Sequence, residues 1–439
     1  MRASIRGAIF LEGIDVAMLN VALPAVRADL GLSTATLSGV VSAYVLGYGG
    51  FMLLGGRAAD LLGRRCMFLT WLAVFVVFSG LGGLATEGWQ LLVARFVTGV
   101  AAAFLTPAGL ALITANFPEG PQRNRALGVY AGTAAGGFSL GLVAGGALVT
   151  AGWRWVFFAP VLLAAVILVA ALFLIRDDVP PRVTRSFDLP GAFTVTAAML
   201  LLAYAVVSLD LVPALAGVAL LALFVAIERR AAHPLVRLGL LRSARLVRTN
   251  ITALLFLFAF AGFQFALTIY LQELRGWTPL QTGLAMLVVG VDTVLAPTLT
   301  TWLVNRFDPV RVLFAGLLTG LTAYGLFLRV TGDWTYAAML PSLMLLGLAF
   351  ALAYGPLTMA ATDGVDGHEH GLAGGLLYTA IQFGTALGIS AVTAVGVDSG
   401  SLRTALLLPV AALLVAVVVT ATSLTPRRVP RDIVRRAAR

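Results

Sequence analysis

A chain of 439 residues that is 60% hydrophobic and 11% charged, with a mean hydropathy of +0.96, has too little polar surface to face water on all sides. Its formal charge of +10 would suit nucleic acid on a soluble chain, but all thirty basic residues are Arg, and their placement along the chain decides their meaning. A soluble globular class and a nucleic-acid partner are both excluded, and lipid is the expected solvent.

About 20 apolar residues cross a hydrocarbon core about 30 Å thick. Fourteen such stretches run along the chain, at 3–26, 36–56, 67–86, 89–113, 125–149, 155–175, 189–209, 211–227, 249–271, 280–304, 311–329, 335–358, 370–396 and 404–424. They predict an all-α polytopic membrane protein in a six-plus-two-plus-six layout. An N-terminal six-helix bundle covers 1–176, a linker with transmembrane helices 7 and 8 covers 177–248, a C-terminal six-helix bundle covers 249–425, and a basic tail covers 426–439. Fourteen spans place both termini on one side, and that side carries 24 Arg against 5 on the other, with Arg95 inside the fourth span. The bias puts the Arg-rich side and both termini in the cytoplasm of a cell inner membrane. The first stretch begins like a signal peptide but continues through carboxylates to Pro24 with no small-residue cleavage site, so an uncleaved first span is expected.

Three carboxylates fall within spans: Glu12 and Asp15 in the first and Asp292 in the tenth. An ionised carboxylate at mid-bilayer costs about 2.5–3.5 kcal/mol even on a mild insertion scale, so each is expected to face protein or an aqueous cavity. Glu12 and Asp15, three residues apart, share one helix face and suit the uptake and release of a proton. Glu12 also reads as an anchor wetted at the cytoplasmic end. Arg95 cannot shed its proton and needs an anionic partner, with Asp15 as the candidate, unless it snorkels outward near Trp89 and Gln90. Possible cavity groups are Asn20, Gln264, Tyr354, Tyr378 and Gln382, although helix-to-helix hydrogen bonding also accounts for such residues. The loop over 56–65 places Gly56, Asp60, Gly63, Arg64 and Arg65 as a cytoplasmic gate, and the fifth span carries Gly137, Gly141, Gly145 and Gly146 on smooth faces suited to close packing. Cys66 stands alone, and His368-Glu369-His370 lacks metal-ligand spacing. With no Lys there is no phosphate loop; no metal or cofactor is expected, and ATP is not the expected energy source.

These motifs resemble the major facilitator superfamily and, within it, the fourteen-span drug:proton antiporter family. Ile14-Asp15 through Asn20-Val-Ala-Leu-Pro24 is similar to that family's first-span motif, which implies proton coupling at Asp15. Gly56 to Arg65 resembles the superfamily's gating motif, Arg95 to Gly99 its fourth-span motif, and Gly137 to Gly146 its fifth-span antiporter motif. The chain departs from these patterns at Leu61, Thr98 and Leu142, the last standing where the antiporter motif has proline. The resemblance implies a transporter rather than an enzyme. The expected activity is proton-driven export of hydrophobic or cationic small molecules, with protons, cargo and the bilayer as partners and a monomer as the working unit. Uptake by symport stays open because of Leu142. In the cavity, Asp292 would favour cationic cargo.

Overall fold

The computed structural model describes residues 2–116, 121–174, 189–208, 210–231, 239, 243–329, 334–362, 370–399 and 401–424. Their secondary structure is helical throughout, in fourteen segments. They are α1 Arg2–Leu30, α2 Thr34–Leu62, α3 Arg64–Gly83, α4 Gly88–Asn116, α5 Pro121–Ala151, α6 Trp155–Leu174 and α7 Leu189–Ser208. There follow α8 Leu211–Glu228, α9 Ala244–Leu274, α10 Pro279–Arg306, α11 Pro309–Phe327, α12 Tyr336–Thr362, α13 His370–Ser399 and α14 Leu402–Leu424. Among the described residues, eleven helices are long and apolar enough to cross a membrane. The basic tail and most of the His368-Glu369-His370 string lie outside the described residues.

Local chemistry sets the helix ends. Ser33, Asp210, Ser243 and Asp308 cap α2, α8, α9 and α11 by accepting hydrogen bonds from backbone N–H groups that have no partner within the first turn. Thr278 and Gln281 form a reciprocal capping box on α10, with Pro279 in the first turn, where its missing N–H costs nothing. Gly63 joins α2 to α3 at φ +93°, a left-handed conformation that explains why the loop needs glycine there. The irregular helix is α10. It turns to 3₁₀ geometry over Leu287–Val291, returns to α over Asp292–Leu295 and widens to π geometry over Ala296–Thr300, where Pro297 interrupts the hydrogen-bond ladder.

In the N-terminal part α1 packs on α5 and α6, α2 on α4, and α3 on α4 and α6. In the C-terminal part α9 packs on α13 and α14, and α11 on α12 and α14. The two sets meet where α2 lies along α13 and where α5 lies along α10. Helices α7 and α8 pair with each other, and α7 rests on α2 and α13. Large apolar side chains such as Leu211, Val212 and Leu215 on α8, Phe173 on α6 and Phe193 on α7 are exposed, as a lipid solvent requires.

The contacts are close because glycines line them. Gly137, Gly141 and Gly145 of α5 sit four residues apart and lie against Phe10, Ile14 and Met18 of α1, also four apart. A Cβ on Gly145 would come within 2.7 Å of the Met18 Cα. Gly146, on a neighbouring face, meets the Pro279 carbonyl of α10 at 2.6 Å from its ideal Cβ position. One helix thus packs tightly in two directions.

Candidate functional site

Asp15 on α1 and Arg95 on α4 form an ion pair, Nη1 to Oδ2 2.7 Å, with each side chain only 2% exposed. The guanidinium also lies over the Tyr44 ring of α2, 4.3 Å from its centroid. Thr98, at the position where the resembled motif carries Gln, turns back to donate to the Arg95 carbonyl at 3.0 Å. Pairing is what a permanently charged guanidinium needs in a dry interior, where one unpaired ion carries a desolvation penalty of several kcal/mol. The direct bond to Asp15, not an outward reach to the surface, is how Arg95 is held.

Glu12 is half-buried, on the same side of α1, with different partners. Its Oε2 accepts a hydrogen bond from the Thr106 hydroxyl of α4 at 2.8 Å, and Thr106 accepts one from the Tyr48 hydroxyl of α2 at 2.9 Å. Three helices therefore converge on two carboxylates, one held by a cation and the other by neutral hydroxyls. Tyr44, Tyr48 and Thr106 went unremarked in the sequence. The available signal was the i, i+4 spacing of two tyrosines in one span.

The remaining candidates are spread over other surfaces. Asn20 is half-buried on α1, two turns beyond Glu12. Gln264 is buried on α9, and its Nε2 has no hydrogen-bond partner among the described residues. Tyr354 of α12 stacks on Phe350 at 5.1 Å, within hydrogen-bonding reach of Tyr378 of α13. Gln382 borders the α2–α13 contact, where an ideal Cβ on Gly49 would lie 3.0 Å from the Gln382 Cβ. Asp292 is half-buried at the 3₁₀-to-α junction of α10, two residues beyond Gly290, which abuts Ser139 of α5. Of the loop over 56–65, Arg65 donates to the Leu172 carbonyl of α6 at 3.1 Å, while the side chains of Asp60 and Arg64 lie outside the described residues.

A polar cluster closes the opposite end. Arg27 of α1 donates through its Nη1 alone to both carboxylate oxygens of Glu273 of α9, at 2.8 and 2.9 Å, and Gln272 donates to the Val21 carbonyl at 2.9 Å. Asp29 accepts from Trp153 and Arg154 at 2.8 and 2.9 Å. With Ser42 and Ser390 at 3.3 Å and Gly146 on Pro279, the Arg27–Glu273 and Gln272–Val21 contacts join the N- and C-terminal helices from mid-helix toward the Arg-poor end, while the Asp29 bonds lie within the N-terminal part.

Apolar helices with large exposed side chains, an interface between the N- and C-terminal helices and a buried ion pair between two of them fit a multi-pass membrane transporter. The sequence profile of the Major Facilitator Superfamily matches residues 7–389, and the chain belongs to that superfamily. It is 35% identical to a puromycin resistance protein of Streptomyces alboniger over 88% of this chain and 79% of that protein. It is 34% identical to a cephamycin export protein of Amycolatopsis lactamdurans, over 87% of this chain and 81% of that one. Among solved structures it is similar to a POT family transporter in complex with 5-aminolevulinic acid, with a TM-score of 0.73 at 15% identity, covering 96% of this chain and 95% of that one. At that identity the likeness concerns the fold.

Proposed function

We propose that this chain exports hydrophobic or cationic small molecules in exchange for inward-moving protons, by alternating access of two six-helix halves. The observation that carries the reading is the Asp15–Arg95 pair, sealed from water at 2.7 Å. An ionised Asp15 holds Arg95, and therefore α4, against α1. A protonated Asp15 loses that attraction, so proton arrival changes which packing of the helices is stable. The names of the relatives support drug or antibiotic as cargo. The membrane potential adds about 2.3 kcal/mol per charge per 100 mV to the drive.

In this reading fourteen spans cross a bacterial inner membrane as a monomer, with both termini cytoplasmic and the halves at 1–176 and 249–425. Asp292, Asn20, Gln264, Tyr354, Tyr378 and Gln382 line or border the cargo path, and Gly56, Asp60, Gly63, Arg64 and Arg65 form the cytoplasmic gate. The contacts joining the halves toward the Arg-poor end then correspond to a carrier shut on the outside.

The test is drug susceptibility of a pump-deficient bacterial host expressing this chain, with puromycin, lincomycin and ethidium, followed by inverted vesicles given an acid interior. Wild type should confer resistance and load the vesicles, and Asp15→Asn should do neither while reaching the membrane in equal amount. Undiminished gradient-driven loading by Asp15→Asn would overturn the proposal. Cargo moving in the same direction as the protons would favour symport.

A further inference from the structure

Asp15 and Arg95 are each 2% exposed, so water does not reach the pair directly. A proton that drives transport must nevertheless arrive from one side and leave by the other. Glu12, about one turn along α1 toward the Arg-rich end, is half-buried and borders a cavity of about 10 Å³, room for a single water. Around that space stand Glu12, Tyr44, Thr106, Ala8, Phe75 and Gly109. They come from α1, α2, α3 and α4, so the walls belong to the N-terminal half, and Ala8 and Gly109 lie on its Arg-rich side.

The polar groups around this space converge. Thr106 donates to Glu12, and Tyr48 donates to Thr106. Tyr44, 2% exposed, has a hydroxyl without a hydrogen-bond partner among the described residues, while its ring covers Arg95. A buried hydroxyl and a carboxylate bordering a water-sized space are the partners an ordered water requires. The ionisable groups facing Glu12 are Asp15 on its own helix, Tyr44 and Tyr48 of α2, Arg95 of α4 through Asp15, and Tyr378 of α13. From α3 it meets the apolar Phe75.

We propose that Glu12, Tyr44 and Thr106 form a one-water proton-transfer site through which Asp15 exchanges its proton with the Arg-rich side, along a route walled by the N-terminal helices that touches the cargo path only at Tyr378. This rests on the proton-coupled reading above. In the step, protonated Asp15 passes its proton to the Tyr44 hydroxyl, which gives up its own proton to the water as the water gives one to ionised Glu12. Asp15 becomes the carboxylate that Arg95 holds, and Glu12 then gives the proton to solvent past Ala8 and Gly109. Charge is conserved at each transfer, and no other reactant is needed.

Two measurements test it, using whichever of puromycin, lincomycin or ethidium wild type exports. In a Cys66→Ser background, Ala8→Cys should react with a hydrophilic methanethiosulfonate, and saturating drug should not protect it. Glu12→Gln should slow gradient-driven export about tenfold or more and change its pH profile, with equilibrium drug binding within about twofold of wild type. Tyr44→Phe should show the same pattern. An inert or drug-protected Ala8→Cys, or an unchanged rate and pH profile in Glu12→Gln, would overturn this route. If Asp15→Asn exports normally, the proton-coupled reading itself fails, whatever Glu12 does.

Discussion

Where α5 lays Gly137 and Gly141 against Phe10 and Ile14 of α1, α13 lays Gly384 and Gly388 against Leu254 and Phe258 of α9. The backbone arrangement is repeated, but the side chains beside it are not. Setting these pairs level puts Glu12 and Asp15 opposite Phe256 and Ala259. In the N-terminal half this layer is charged and hydroxylated, with Asp15, Arg95, Glu12, Thr106, Tyr44 and Tyr48. In the C-terminal half it is aromatic: Phe256 and Phe260 stack, Phe260 lies 4.6 Å from Phe350, and Phe350 stacks on Tyr354. One packing scheme can therefore carry two chemistries, because glycine contacts fix helix spacing whatever the neighbouring side chains do. Under the proposed function, one half handles protons and the other offers a polarisable wall to cargo.

The sharpest way to break this contrast is to disturb the ion pair. Arg95→Ala would leave a buried carboxylate unpaired, and a cost of about 3–5 kcal/mol is expected. A large fall in the melting temperature of the detergent-solubilised protein, with loss of export, checks it. Arg95→Lys should recover stability only in part, because a point charge does not reproduce the guanidinium's planar contacts.

Next in size are the matched glycines. Gly141→Val on α5 and Gly388→Val on α13 each force a side chain into a neighbouring backbone, and overpacking of that kind costs about 1–3 kcal/mol. Similar losses of thermal stability in the two variants are expected if the halves share one scheme. A loss confined to one would show that the repetition is superficial.

The aromatic layer should behave differently from the charged one. Phe350→Ala removes ring contacts worth about 0.5–1.5 kcal/mol each beyond the buried area. It is expected to alter the relative resistance to different drugs without altering the pH profile of export. A changed pH profile would show that protons and cargo are not divided between the halves.

The smallest effect belongs to Arg27 and Glu273, whose side chains are 34% and 31% exposed. Such a pair contributes at most about 1 kcal/mol and is screened by salt. Arg27→Ala should change turnover less than about fivefold, and added salt should reduce the difference from wild type.

Much of the fold was legible because lipid imposes a length and a polarity on every span; all fourteen apolar stretches fall on helices. The Arg95–Asp15 pair was legible for a related reason, since a guanidinium deep in a span has few possible partners. The hydroxyls around Glu12 were not, because Thr and Tyr occur in spans for many reasons, and only the register of α1 against α4 decides which of them meets a carboxylate. Nor did periodicity reveal the Arg27–Glu273 contact. Its two residues lie 246 positions apart, and nothing local ties them together.

The uneven winding of α10 has a directional consequence. Five residues in 3₁₀ geometry turn about 100° further than five in an α-helix, and five in π geometry turn about 90° less. The two segments nearly cancel, so the helix leaves the irregular stretch facing almost as a regular one would. Only Asp292 and its immediate neighbours, caught between them, are swung about 100° around the axis. A helical wheel drawn from the sequence therefore misdirects this acid, although the residues before Leu287 and after Thr300 are aimed almost correctly.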